Sequence, residues 1–484
     1  MEYVPVIGLE VHAQLLTRSK IFCGCSTEFG APPNHHTCPI CLGMPGVLPV
    51  LNRRVVELAV RTGLALGCEI RALSQWARTN YFYPDLPKGY QISQYELPLC
   101  EHGTLPIDLP GGAGEKRVRI KRIHMEEDAG KNIHQAGGAA AGTSLVDFNR
   151  AGVPLVEIVS EPDLGSPEEA SAYLKGLRDV LVTLGVCNGN MEQGSFRCDA
   201  NVSVMPAGAT ELGTRTELKN INSFRFVREA LDFEIKRQIE VLRSGGKVVQ
   251  ETRLYDPDAR RTQSMRSKEE AHDYRYFPEP DLQPLRLDAG WMEEIRTGLP
   301  ELPRDRMLRF ERQYGLPRED AQALTCDVDP AVGVLFDEVM RRYGDAKKLA
   351  NWFRGELFRA LKDGEARLDE LKLTSEAFAA LLGLVDSAAI SLNAAKEVFA
   401  TLLKEGGDPA KIVEARGLRQ VSDTQEIERV IDEVIAQHPD EATRYRSGKK
   451  QLLGFFTGQV MKAMKGKGNP VLVNQTLQRK LGSS

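Results

Sequence analysis

The sequence predicts an α+β protein: a large antiparallel-sheet cradle domain, then an all-α helical domain, then a small helical tail domain. Three observations predict it. Over residues 1–292, glycine-rich turns separate segments that alternate apolar and polar residues, with no regular strand–helix–strand rhythm. From about residue 290 the apolar spacing becomes helical. The length of 484 residues allows about three domains at roughly 150 residues each. Boundaries are expected at 292/293 and 408/409.

Taken in order, residues 4–15, 195–204 and 214–220 alternate with period two and are read as strands. The glycine-rich piece at 136–142 is read as a hairpin tip, and 111–114 as a plain turn. Three prolines in residues 275–284 (RYFPEPDLQP) are expected to close the first domain. Phe378, Leu381, Leu382 and Val385 recur at i, i+3, i+4 and i+7, and Val398, Leu402 and Leu403 mark a later helix. The run EGGDP at 405–409 reads as a boundary. Asp423 followed by Glu426 is placed to box the start of a helix over 424–437, which Pro439 ends. A last helix near 449–464 puts Leu452, Phe455, Phe456, Val460 and Met464 on one face, with its lysines elsewhere.

Composition narrows the class. Apolar residues make up 42% and charged residues 27%, a globular balance. No run of about 18 apolar residues offers a membrane span. The start, MEYVPVIGLEVHAQ, shows no basic segment leading into an apolar one, so a cytoplasmic protein is expected. Net charge is −4, yet residues 444–484 hold nine basic side chains and no acidic one: Arg444, Arg446, Lys449, Lys450, Lys462, Lys465, Lys467, Arg479 and Lys480. That asymmetry suits a polyanion held at one end, or else a solvated lysine-rich helical face.

Four of the nine cysteines fall as Cys23-x-Cys25-x12-Cys38-x2-Cys41. Two close pairs across a short loop bring four thiolates to a tetrahedral Zn²⁺, in a structural role because no position stays open for water. Incidental cysteines or two redox pairs are the alternatives, and His35 or His36 is a substitute ligand. The other five cysteines are read as small apolar fillers.

In the first strand Glu10, His12 and Gln14 face one way and Leu9, Val11 and Leu15 the other, with Glu10 and His12 roughly 7 Å apart. Alone, this is equally a half-exposed polar face. Further strands repeat the pattern: Arg197, Asp199, Asn201 and Ser203 share a face, as do Arg215, Glu217 and Lys219. The segment HMEEDAGK holds Glu126, Glu127 and Asp128 in a row. Carboxylates beside lysine and arginine provide oxygen ligands for Mg²⁺ and cations for a triphosphate. No GxxxxGK[ST] loop, strand-borne GxGxxG, GxSxG or HExxH motif is present. A P-loop NTPase, a Rossmann dehydrogenase, an α/β-hydrolase and a zinc protease therefore lose ground.

The strings VIGLEVH (6–12), YFYPDLPKGYQISQY (81–95), HMEEDAGK (124–131), VDFNRAGVPLVEIVSEPD (146–163), residues 194–203, GTRTELKNINSFRF (213–226) and SMRSKEEAHDYRYFPEPDL (264–282), with GKGNPVLVNQTLQRKL (466–481), resemble the B component of the tRNA-dependent amidotransferase over essentially the whole chain. The resemblance implies a heterotrimer with a glutamine-hydrolysing amidase, the A component, and a small C component. It implies binding of misacylated Glu-tRNA(Gln) or Asp-tRNA(Asn), ATP-dependent phosphorylation of the side-chain carboxylate, and displacement of phosphate by ammonia. Carried onto these residues, Glu10, His12 and Glu127 match Mg²⁺-holding positions, with Asp199 as a fourth catalytic residue. Arg197, Asn201, Arg215, Glu217 and Lys219 match the nucleotide pocket, with Lys219 or Arg215 on the phosphates. Lys88 and Glu126 are expected along the ammonia route, and the four cysteines match the zinc site of members that keep it. The basic residues Arg444, Arg446, Lys449, Lys450, Lys462, Lys465 and Lys467 are expected to meet tRNA phosphates. The rivals are a non-catalytic zinc-containing tRNA-binding scaffold and an RNA-modifying enzyme with catalytic zinc.

Overall fold

A computed structural model describes residues 2–133, 143–265, 274–326, 328–363, 368–420, 424–464 and 467–482. The chain divides into two compact units, Met1–Asp305 and Arg306–Ser484. No helix among the described residues is long and apolar enough to cross a membrane.

The first unit is built on a nine-stranded sheet. Its strands are β1 (Tyr3–Gln14), β2 (Glu69–Ile70), β3 (Cys100–Asp108), β4 (Glu115–Glu127), β5 (Pro154–Ser160), β6 (Phe196–Pro206), β7 (Thr216–Lys219), β8 (Thr252–Asp256) and β9 (Arg261–Ser264). They lie in the order β9-β8-β7-β6-β1-β5-β4-β3-β2. The expected antiparallel pairing holds except between β7 and β8, which are parallel. A 20-residue helix, Phe224–Arg243, joins those two strands, and a crossover of that kind is what a parallel pair requires. The 111–114 turn connects β3 to β4, and Gly111, Gly112 and Gly114 all take positive φ there. The expected hairpin tip at 136–142 lies outside the described residues, between the paired strands Lys131–Ile133 and Leu145–Asp147.

Alternation in β1 sends Ile7, Leu9, Val11 and Ala13 into a core where each is at most 1% exposed. Helices α1 (Arg53–Ala65), α2 (Pro167–Thr183) and α3 (Phe224–Arg243) cover that face, contributing Val55, Leu58, Leu174, Leu177, Leu181 and Leu231. Asn52, Ser166 and Ser223 cap their N-termini through side-chain oxygens. Each such buried aliphatic is worth about 1.5–3 kcal/mol. With one face so covered, the polar residues of the strands are left on the other.

The proline-rich segment does not end the first unit. Phe277–Pro278 pairs with Ala77–Asn80, which pairs with Tyr90–Ser93, and Leu285–Arg286 pairs with Leu73–Ser74. Helix Ala289–Thr297, which the expected 292/293 boundary would cut, seats Ile295 in the first core.

Among the described residues, the second unit is helical and holds two hydrophobic cores. One runs from Met307 to Val413 and includes Phe378, Leu381, Leu382, Val398, Leu402 and Leu403, the side chains that the spacing singles out. The glycines at 406–407 separate two helices of this one core, because Val413 of Pro409–Ala415 is buried in it. The second core starts at Ile427 and gathers Phe456, Val460 and Met464 with Val473, Leu477 and Leu481 of Pro470–Gly482. Helix Thr424–Gln437 begins where expected; Asp423 lies outside the described residues.

Candidate active site and metal centres

The polar face of the sheet converges on His12. Register places His12 opposite Arg197 of β6 and Glu157 of β5, and Glu157 opposite His124 of β4. Residues facing each other across antiparallel strands point the same way, so these side chains share one surface. His12 Nε2 lies 3.6 Å from Glu126 Oε1 and 3.4 Å from Glu157 Oε2. His124 Nε2 lies 3.7 Å from Glu126 and 3.4 Å from Glu157. Ligand atoms of His12, Glu126 and Glu157 all fall within 4.8 Å of one another. Two carboxylates and one imidazole at that spacing fit a hard divalent cation whose remaining positions are filled by water or phosphate oxygens.

The electrostatics agree. Burial raises the Glu10 carboxyl, and Glu157, Glu217 and Asp199 raise it further against the opposing pull of His12. Burial works against the His124 imidazolium, but Glu157 and Glu126 outweigh it and bring the group up to about 9. His12 is raised in the same way by Glu157 and Glu126. These five carboxylates, Glu10, Glu126, Glu157, Asp199 and Glu217, crowd one surface, which calls for positive charge.

The expected trio is only partly assembled. Glu10 stands in β1 opposite Asp199 and accepts a 2.9 Å hydrogen bond from Asn201. Glu127 is not in the His12 group. Its carboxylate pairs with Lys88 and accepts the Ile92 amide at 2.9 Å. Successive strand residues face opposite ways, so Glu126, next to it, is the one that reaches His12. Lys88 borders a cavity lined by Cys23, Cys41, Met44, Tyr90 and Glu127.

Across β1, Lys219 Nζ lies 2.9 Å from Asp199 and 3.1 Å from Glu217. Burial would lower this ammonium, but the two carboxylates overcome it and raise it. Arg197 is turned to Asp128, 3.0 Å away, and Gln14 bonds the same carboxylate at 2.9 Å. Arg215 is exposed, one residue ahead of β7.

Glu157 and His124 belong to the site without standing out in the sequence patterns. Glu157 is the only charged residue in the apolar strand PLVEIVS, and a lone carboxylate there is the signal that marks it.

Cys23, Cys25, Cys38 and Cys41 come together, their sulfurs all within 4.8 Å. Cys38 and Cys41 Sγ are 3.9 Å apart, close to the edge of about 3.8 Å that a tetrahedron with 2.3 Å metal–sulfur bonds requires. The Cys41 thiol is drawn down to about 4, first by its hydrogen bond with Cys23, against burial, and then by the Cys38 amide and Lys20. The alternative donors His35 and His36 are not in this group. Of the remaining cysteines, Cys100, Cys187 and Cys198 are buried.

In the helical unit, Arg444, Arg446, Lys449, Lys450, Lys462 and Lys467 are exposed; Lys465 lies outside the described residues. Arg479 and Lys480 pair with Glu428 and Asp432 of the 424–437 helix.

Known proteins resemble the chain over its whole length. A family described as the GatB/GatE catalytic domain matches residues 5–293, and one described as the GatB domain matches 334–481. The B component of the aspartyl/glutamyl-tRNA(Asn/Gln) amidotransferase of Myxococcus xanthus is 61% identical over 481 residues, 99% of each chain. Proteins of the same description from Anaeromyxobacter dehalogenans and Geotalea daltonii are 60% and 57% identical. They cover 99% of this chain, and 99% and 100% of their own.

Proposed function

The chain belongs to the GatB/GatE family, as the B component of an amidotransferase, and from that membership we propose that it amidates misacylated tRNA. The side-chain carboxylate of Glu-tRNA(Gln), Asp-tRNA(Asn) or both is converted to an acyl phosphate with release of ADP. Ammonia then attacks the acyl carbon, phosphate departs, and the nitrogen gives up a proton to leave the amide. Ammonia comes from a partner amidase, the A component, in an assembly with a small C component, in the cytoplasm.

His12, Glu126 and Glu157, with Glu10 beside them, would hold Mg²⁺, which would supply charge neutralisation for a phosphoryl group donated by ATP. Lys219, fixed by Asp199 and Glu217, presents a cation to phosphate oxygens, and Asn201 orients Glu10. Arg197 and Gln14 share Asp128 and so hold the far end of β1 and β6 in register. Cys23, Cys25, Cys38 and Cys41 would hold Zn²⁺, which would staple their loop beside the Lys88–Glu127 pair; four thiolates would leave it no open position, a structural role. The exposed basic residues from Arg444 to Lys467 contact tRNA phosphates.

The single observation carrying this reading is the cluster of His12, Glu126 and Glu157 from three strands beside a lysine held by two carboxylates. The test is ATP-dependent amidation by the chain co-purified with its partners, with Glu-tRNA(Gln) and Asp-tRNA(Asn) assayed separately. No ATP-dependent amide on either tRNA would overturn it.

A further inference from the structure

Seven aromatic side chains are markedly exposed among the described residues, and six come from two short segments: Phe82, Tyr83, Tyr95, Tyr274, Tyr276 and Phe277. The small sheet brings the segments together, with Phe277 opposite Arg78 and Asn80 opposite Tyr90. The Asn80 side chain donates to the Tyr274 and Arg275 carbonyls at 3.2 and 2.9 Å. Arg78 holds the buried Glu279 through two bonds of 2.7 and 2.8 Å. This surface is therefore anchored, although apolar rings in water gain nothing by such placement.

The rings are arranged for stacking. Tyr95 and Tyr276 lie parallel, centroids 4.0 Å apart and planes within 8°, and Tyr274 meets Tyr276 edge-on. The strand that leads into Tyr95 meets the carboxylate cluster: the Ser93 hydroxyl donates to Glu126 at 3.5 Å, and the Gln94 side-chain oxygen accepts the Met125 amide at 3.0 Å. A flat, uncharged ring system is the ligand such a surface takes, since every base offers a π-face.

Two adenines enter the proposed reaction, and the sheet order distinguishes them. Lys219, Asp199 and Glu217 lie on β6 and β7, on one side of β1; Met125 and Glu126 lie on β4, on the other. Phosphates belong on the lysine side. We propose that Tyr276 and Tyr95 form a stacking subsite for the terminal adenine of the aminoacyl-tRNA, holding the attached acid toward His12. This rests on the amidotransferase reading.

The test uses the assembly with its partners and two tRNAs, one intact and one lacking the 3′-terminal adenosine. Wild type is expected to bind the trimmed tRNA more weakly. Tyr276→Leu should weaken the intact tRNA about tenfold, add no further loss on the trimmed one, and leave the KM for ATP unchanged. Tyr276→Phe, which keeps the ring, should behave as wild type. Equal weakening of both tRNAs, wild-type affinity in Tyr276→Leu, or a raised KM for ATP would each overturn the subsite. Tyr95→Leu carries the same comparison should Tyr276→Leu fail to fold. Absence of amide formation by the wild type would instead sink the parent reading, because the trimming comparison reads binding alone.

Discussion

His12 and His124 approach the same carboxylate oxygen of Glu157, each at 3.4 Å. One oxygen thus serves imidazoles from β1 and β4, the strands on either side of β5. Replacing it with an amide, Glu157→Gln, keeps the shape and removes the charge. Amide formation is expected to fall about 100-fold or more, the scale seen when a preorganised charge leaves a reacting site, while tRNA affinity stays within about twofold. Wild-type turnover in E157Q at saturating Mg²⁺ would remove this cluster from the reaction.

The adjacent acids Glu126 and Glu127 are separable by their cation requirement. Glu126 faces His12, whereas Glu127 faces Lys88. Glu126→Gln should raise the Mg²⁺ concentration for half-maximal amidation at least tenfold, the cost of one lost carboxylate ligand. Glu127→Gln should leave that concentration unchanged, whatever it does to the rate. The reverse outcome would restore the sequence-based assignment of Glu127.

How much of this is legible in the sequence follows from register. Alternation alone puts Glu10 with His12, Asp199 with Asn201, and Glu217 with Lys219, each pair on one face of its own strand, because period two needs no knowledge of partners. It does not settle which acid of the consecutive Glu126, Glu127 and Asp128 faces His12. That depends on where β4 pairs with β5, at Leu155 opposite Glu126. Glu157 is hidden for a related reason: its neighbours are apolar on both faces of a central strand, so the segment reads as core. The helices of the second unit are readable from local spacing, but where its two cores divide depends on the packing of Val413, which spacing does not report.

Metal content tests the cysteine quartet. The purified chain is expected to hold one zinc by elemental analysis, and Cys38→Ser should lower that toward zero. Because metal binding free energy is folding free energy at such sites, the variant's Tm should drop by roughly 5 °C or more. One equivalent of zinc retained by C38S with unchanged Tm would exclude this site.

Acid sensitivity follows from Glu234. Burial would raise its carboxyl, but Arg237 first, then Gln238 and Thr262, hold it below its ordinary value of 4.5. The folded state therefore binds this proton less readily than the unfolded chain. Its stabilisation is full above about pH 4.5 and is lost as pH falls through the lower folded value. Glu234→Gln should cost about 2 kcal/mol at pH 7 and flatten the stability loss between pH 5 and 3 in urea titrations. An unchanged acid slope would show that other carboxylates govern it.

Binding through the C-terminal module is best tested by charge and not by truncation. Cutting at residue 444 would remove Phe456, Val460, Val473 and Leu477, most of that core, so weakened binding would report unfolding. Arg479 and Lys480 are also poor targets, since their pairs with Glu428 and Asp432 hold helices together. Lys449 and Lys462 are exposed. Each phosphate contact adds a released counterion to the salt dependence of binding. Lys449→Gln with Lys462→Gln should therefore weaken tRNA about tenfold near physiological salt and reduce the log–log salt slope by about 2, with ATP hydrolysis unchanged. A slope identical to wild type would mean that this face carries no phosphate contacts and that its lysines are solvated surface.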